Sequence, residues 1–258
     1  NITYRNNILK AGSTLAFYHF DKVAGAGDEP EDLHDFSGNS LVNWGIDYSL
    51  VVKKVQVFGE AATGNGHRAF LNGLLMNVNK YAAFSLLYRN LSSGYISLNS
   101  SVFCENASGN NEEGFYAGVV LHPLPKITIS GYADFYRFPW LKPNLGAPAS
   151  GRDYLLQVDY KASKNTSMYR RMKYKNNPVN GESSAQLPDI AANERSGIRY
   201  HLSYQAGRKI IMQNRVEMVI ARAGSAKASR GIMVYQDIRY ESAKLPLVLD
   251  ARLAWFNT

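Results

Sequence analysis

The chain is 258 residues long, 45% hydrophobic and 19% charged, with a formal net charge of +8. That balance excludes a disordered chain, and because no run approaches about eighteen consecutive apolar residues it also excludes a bundle of membrane helices. The lone cysteine, Cys104, excludes a disulfide framework and a CxxC metal or redox site and reads as an incidental loop thiol. The positive charge predicts an anionic neighbour: lipid phosphate, nucleic acid or an acidic solute.

From Asn1 the chain opens on polar residues with neither an initiator Met nor a signal peptide, as a mature or trimmed chain would. No 3.6-residue stripe follows; apolar and polar residues alternate instead. About thirteen strands are predicted on this basis. They lie near 8–20, 41–52, 55–63, 68–78, 80–90, 114–122, 126–137, 152–161, 164–174, 196–205, 208–222, 229–240 and 245–256. In `NWGIDYSLV`, Trp44, Ile46, Tyr48 and Leu50 oppose Asn43, Asp47 and Ser49. In `KITISGYADFYRFPW`, Ile127, Ile129 and Phe135 oppose Asp134 and Tyr136. The pattern returns in `YLLQVDYK`, `GIRYHLSYQ` and `KIIMQNRVEMVIA`, where Asn214 is an exception on the apolar side.

The connections are more informative than the strands. Lys53-Lys54, Asn79-Lys80, `HPLPK`, `ASKN`, `QAGRK` and `ESAK` are tight, whereas 21–39, 91–113, 138–151 and 175–195 are long, with shorter ones near 64–67 and 223–228. The two kinds alternate, so an up-and-down sheet collects the tight turns at one end and the loops at the other. Outer-membrane barrels are built this way, with short periplasmic turns and longer external loops. A Greek-key sandwich has no reason to sort its loops. The predicted fold is therefore all-β: one antiparallel up-and-down transmembrane β-barrel domain over 1–258, of about 14 or more strands when complete. An odd count and an end at `LAWFNT` suggest a truncated or partial barrel.

The polar face supplies both signs of charge on successive strands, as a wet interior requires. Asp47, Glu60, Asn72, Asp134, Asp159, Arg199, Arg215, Glu217, Asp237, Arg239, Asp250 and Arg252 are assigned to it. Arg199, Arg215, Glu217, Arg239, Arg252, Asp134 and Asp159 are the expected lumen-lining residues. The apolar face is expected to meet lipid, with Trp44, Trp140, Trp255 and Tyr200 at the membrane interface. The basic cluster `YRRMKYK` (169–175) reads as a solvated strand end or a functional patch. Glu112 and Glu113, side by side, form at best a poor cation site. Sequons at Asn90, Asn99, Asn106 and Asn165 reflect Asn/Ser-rich composition.

Five segments in order, `VFGEAA` (57–62), `LLYRN` (86–90), `NNEEGFYAG` (110–118), `YADFYRFPWLK` (132–142) and `PASGRDYLLQ` (148–157), carry a family likeness. Together they resemble the barrel region of Bacteroidota outer-membrane proteins whose N-terminal part bears helix-hairpin-helix repeats of the competence ComEA type. The resemblance implies an outer-membrane barrel, offers no catalytic residues, and leaves the cargo open. The repeats themselves are absent here, so their DNA-binding role does not transfer.

The expected function is a channel, conduit or scaffold of an envelope assembly, with no catalysis and no cofactor or metal. Its expected partners are the lipid bilayer, lipopolysaccharide and other envelope proteins. A nucleic-acid uptake or secretion conduit is the alternative. A phospholipase-like hydrolase using His201, Ser203 and Asn214 fits less well, because the alternation puts Asn214 on the opposite face from the other two.

Overall fold

The computed structural model describes residues 1–98, 101–181, 189–207, 209–242 and 245–257. Strands β1 (Ile2–Arg5) and β2 (Leu9–Ala24) precede a 3-10 turn at Pro30–His34. Next come β3 (Gly38–Val52), β4 (Val55–Gly64), β5 (His67–Asn79) and β6 (Ala82–Leu91). β7 (Glu112–Leu124), β8 (Ile127–Phe138), β9 (Ala149–Tyr160) and β10 (Thr166–Asn176) continue the series. A two-residue pair, β11 (Val179–Asn180) and β12 (Ile190–Ala191), sits in the following loop. β13 (Asn193–Ala206), β14 (Ile210–Ala223), β15 (Ser229–Glu241) and β16 (Val248–Asn257) complete the chain.

All but β11 and β12 form one 14-stranded sheet in which every strand pairs with its neighbours in sequence. The pairing is antiparallel throughout. This is the up-and-down order that the alternating turns and loops predict. The count of thirteen is corrected to fourteen by β1, whose four residues are too few to show a two-residue period. Among the described residues, β1 pairs only with β2 and β16 only with β15. Because fourteen is even, these two free edges run antiparallel to each other. No helix among the described residues is long and apolar enough to cross a membrane.

Tight connections join β1 to β2, β3 to β4, β5 to β6, β7 to β8, β9 to β10, β13 to β14 and β15 to β16, all at one end. Lysines recur there, among them Lys53, Lys54, Lys80, Lys126 and Lys161. Parts of the predicted turns `QAGRK` and `ESAK` (Arg208, Ala243, Lys244) lie outside the described residues. The longest connections, 25–37, 92–111, 139–148 and 177–192, gather at the other end. Two connections at that end are short: 224–228, and 65–66, where Asn65 and Gly66 take φ of 52° and 74° and close β4 onto β5. Two left-handed residues in an Asn-Gly pair give the tight hairpin whose twist matches the strands.

Alternation along the strands gives the sheet two unlike faces. On the outer face stand Trp44, Ile46, Phe135, Leu156, Val216, Ile232 and Leu253, all exposed. The inner face holds most of the charged strand residues and, toward the loop end, the buried ones. Two small clusters lie there: Ala69, Leu91 and Tyr95, and Tyr136, Phe138 and Leu145. Gly151 makes the second possible, since a Cβ on it would run into the Tyr136 ring. A sheet whose large apolar side chains face outward and most of whose charges face inward suits lipid outside and water inside.

Asn72 corrects the face assignment made from the sequence. It lies in register with Gly59 and, through it, with Tyr48 on the outer face, and accepts a hydrogen bond from the Tyr48 hydroxyl. The bare backbone of Gly59 leaves the gap across which the two meet. Leu71 takes the inward position in its place.

Candidate functional site

The inner wall is built from paired charges on adjacent strands. Arg199 on β13 meets Glu217 on β14 with two bonds, Nε to Oε2 at 2.8 Å and Nη2 to Oε1 at 3.0 Å. Arg252 on β16 meets Asp237 on β15 in the same fashion, at 2.6 and 2.8 Å. Arg239 lies 3.3 Å from Glu241 and 3.7 Å from Asp250. Asp159 accepts from Gln157, which in turn accepts from Arg171 Nε at 2.7 Å. Cross-strand register puts Arg199 opposite Glu217, Arg252 opposite Asp237, Arg239 opposite Asp250 and Arg171 opposite Gln157. Asp159 and Glu241 meet partners two residues away on their own strands, where alternation puts them on the same face. Arg215 is the exception: its guanidinium lies 4.9 Å from the centroid of Tyr235, and Nε has no partner. Six of the seven residues expected on the lumen side thus lie on this face, each in contact with a polar side chain or an aromatic ring. The seventh, Asp134, shares the face but is buried, at 3% exposure.

Three of the four expected interface residues sit on the outer face. Trp44 donates its indole N–H to Ser13 Oγ at 3.0 Å, Tyr200 lies against Met168, and Trp255 is 57% exposed. Trp140 is placed otherwise. It belongs to the β8–β9 loop, and its ring packs edge-on against His34 with centroids 4.9 Å apart. Asn111 holds it there, accepting from the Trp140 backbone N–H and donating to the carbonyls of Trp140 and Leu141. The Pro139 break carries the chain off the strand before Trp140.

The strongest feature of the site escapes a strand-by-strand reading. Arg89, Glu112 and Asp134 form a buried triad on β6, β7 and β8: Nε to Glu112 Oε1 at 2.6 Å, Nη1 and Nη2 to the two Asp134 oxygens at 2.9 and 3.1 Å. Arg89 and Glu112 are fully buried. Gly114 makes room for the guanidinium, because a Cβ there would collide with it. Glu112 also accepts the backbone N–H groups of Glu105 and Asn106 in the 92–111 loop. Glu113 points the other way, bonded to Tyr88 and Arg137 on the outer face, so the adjacent glutamates share no cation site.

That loop folds across the inner face. Phe103 packs on Tyr116 at 5.4 Å and over the Arg89 guanidinium at 5.4 Å, both on the inner wall. Asn43 on β3 donates to the Ile96 carbonyl at 2.6 Å. Glu105 reaches Lys175 on β10, three strands beyond β7 in the sheet. The loop is thus tied to the wall at well-separated points. A cavity of about 580 Å³ remains beside it, lined by Thr14, Tyr18, Glu60, Leu71, Tyr95 and Phe103 among others.

The basic cluster at 169–175 resolves by parity. Lys173 pairs with Asp153 at 3.0 Å, Lys175 with Glu105, and Arg171 with Gln157, all inward, while Arg170, Met172 and Tyr174 face outward. Lys175 and Arg171 belong to the site, and their signal was the alternating spacing inside a run that looks uniformly basic.

His201 and Ser203 share the inner face, His201 stacked on Tyr169 at 5.0 Å, whereas Asn214 faces outward opposite Leu202. The three groups of a hydrolase do not converge. No group of three or more potential metal ligands occurs among the described residues. Of the sequons, Asn99 lies outside the described residues, and Asn106 is engaged inside the loop with Asn110 and Glu112.

Cys104 reports on the loop. Its thiol donates to the Asn106 carbonyl, and burial pushes its pKa up to about 11, Glu112 acting in the same direction and Arg89 against it. Alkylation by iodoacetamide at pH 8 is expected to be roughly 100-fold slower in the folded protein than in the urea-unfolded chain, because only the thiolate reacts. Equal rates in the two states would show that the loop does not pack as described.

No family model matches the chain, and no curated protein does. Solved structures do. The outer membrane channel DcaP of Acinetobacter baumannii superposes with a TM-score of 0.50 at 12% identity, covering 95% of this chain and 90% of that one. A bacterial polysaccharide outer membrane secretin superposes with a TM-score of 0.50 at 8% identity, covering 97% and 79%. At such identities the likeness shows the fold: the chain has the architecture of an outer membrane β-barrel.

Proposed function

We propose that this chain forms the wall of an outer-membrane channel, with the 92–111 loop setting the width of the water path. The observation that carries the reading is the inward-folded loop on a charged wall. A barrel serving only as a filled strut has no need of solvated ion pairs such as Arg252–Asp237 on its inner face. Such pairs stabilise the fold by only about 0–1 kcal/mol each, so stability alone does not explain them. A water path lined by fixed charges of both signs uses them directly, since they set the field that a passing ion feels.

Single-channel recording of the purified protein in a planar bilayer tests this. Discrete conductance steps are expected. Arg215→Glu, which swaps an inward cation that makes no salt bridge among the described residues for an anion, is expected to move the permeability ratio toward cations. Two units of charge acting through water at close range amount to about 1 kcal/mol, or roughly fivefold. A heat-modifiable, folded protein that never conducts would leave a scaffold and end the channel reading.

A further inference from the structure

At the loop end of the outer face three cationic residues gather beside an apolar stripe. On β14 the outward residues Ile210, Met212, Val216, Met218 and Ile220 form an apolar stripe broken only by Asn214, and the next outward position is Arg222. On β15 the corresponding stripe begins at Ile232, and the outward position above it is Arg230. The connecting residues are small, with Gly224 at φ 54° and Ser225, Ala226 and Ala228 around Lys227. Arg222, Lys227 and Arg230 are all exposed and together line one pocket of about 730 Å³ with no carboxylate in its lining. The carboxylate in register with Arg222, Glu194, accepts the Tyr174 hydroxyl at 2.7 Å.

We propose that this pocket binds the phosphate of a phosphorylated glycolipid headgroup, the lipopolysaccharide of the outer leaflet. Longer loops face outward in such barrels, so the upper edge of the apolar stripe marks the headgroup level of that leaflet. Three cations framing one pocket match a phosphate better than they match water, and the two guanidiniums present paired donors to its oxygens. The acyl chains would then lie down the stripe below Arg222 and Arg230. The turn end offers a contrast: its lysines lie in the turns, and Lys54 and Lys126 donate to the carbonyls of Val78 and Ala162. The proposal rests on the orientation of the barrel in the membrane and not on conduction.

The test is a titration of the full chain, folded in detergent, with bisphosphorylated lipid A, with the same lipid stripped of phosphate, and with inorganic phosphate. Lipid A is expected to bind, and R222Q/K227Q/R230Q to weaken it by at least about tenfold, since each cation near a charged membrane surface contributes a comparable increment. K53Q/K54Q at the turn end is expected to leave binding unchanged. Should the triple variant lose its heat-modifiable fold, R230Q alone is read, with a loss of about threefold to fivefold expected. Unchanged lipid A binding in the folded variant would overturn the proposal. So would equal binding of the dephosphorylated lipid, which would make the contact apolar, or displacement of lipid A by equimolar inorganic phosphate, which would make it a free-anion site. Conductance measured on the same variants separates this outcome from the channel reading.

Discussion

Arg89→Met is expected to lower the free energy of unfolding by about 3–5 kcal/mol, the largest effect of any single change in the wall. Met keeps much of the volume of the arginine stem but removes the charge that compensates two carboxylates. Glu112 would retain the backbone N–H groups of Glu105 and Asn106, whereas Asp134 would lose both bonds that Arg89 gives it. A buried carboxylate without a partner is costly, and protonation relieves only part of the cost. The measurement is urea unfolding in detergent, followed by the heat-modifiable band. R89M/D134L is expected to recover about 2 kcal/mol relative to R89M, since replacing both members of a buried ion pair is often close to neutral. A loss of under about 1 kcal/mol in R89M would mean that water reaches the triad and that the loop does not seal it.

That triad also marks where the sequence stops being legible. Up-and-down order, the sorting of turns and loops and the side of most charged residues can all be read from alternation, because a two-residue period leaves one free choice per strand. β9 and β14 make that choice easy, with Asp159, Arg215 and Glu217 opposing Leu156, Val216 and Met218. β6 does not. Its inner residues are Ala83, Ser85, Leu87, Arg89 and Leu91, and its outer ones include Phe84, Leu86 and Tyr88, so both faces look apolar and Arg89 looks incidental. The reason lies in the tertiary structure, since this part of the inner face meets a packed loop instead of water. Asn72 misleads for a related reason, because a polar group on the lipid side is tolerable once Tyr48 bonds it across Gly59. Trp140 shows a third limit: a loop residue has no strand parity, and only Asn111 and His34 decide where its ring goes.

The loop's own position yields the second large expectation, a change in gating when its distal tether is reversed. Glu105 and Lys175 are both partly exposed, at 22% and 32% of the side chain, so their attraction alone is modest. Lys175→Glu converts it to repulsion at contact distance, a swing of about 1–2 kcal/mol, enough to raise the population of a displaced loop by about tenfold. Glu112 and Asn43 still hold the loop elsewhere, so the outcome is a mobile constriction in a folded barrel. Single-channel records are expected to show longer or larger open events in K175E, with K175M intermediate, since it removes attraction without adding repulsion. E105K/K175E restores opposite charges in the exchanged sense and is expected to return the record toward that of the unaltered protein. This double variant separates two causes that either single change confounds. If the effect came only from the field of position 175 in the water path, restoring the pair would leave it in place, and the loop would then not be the gate.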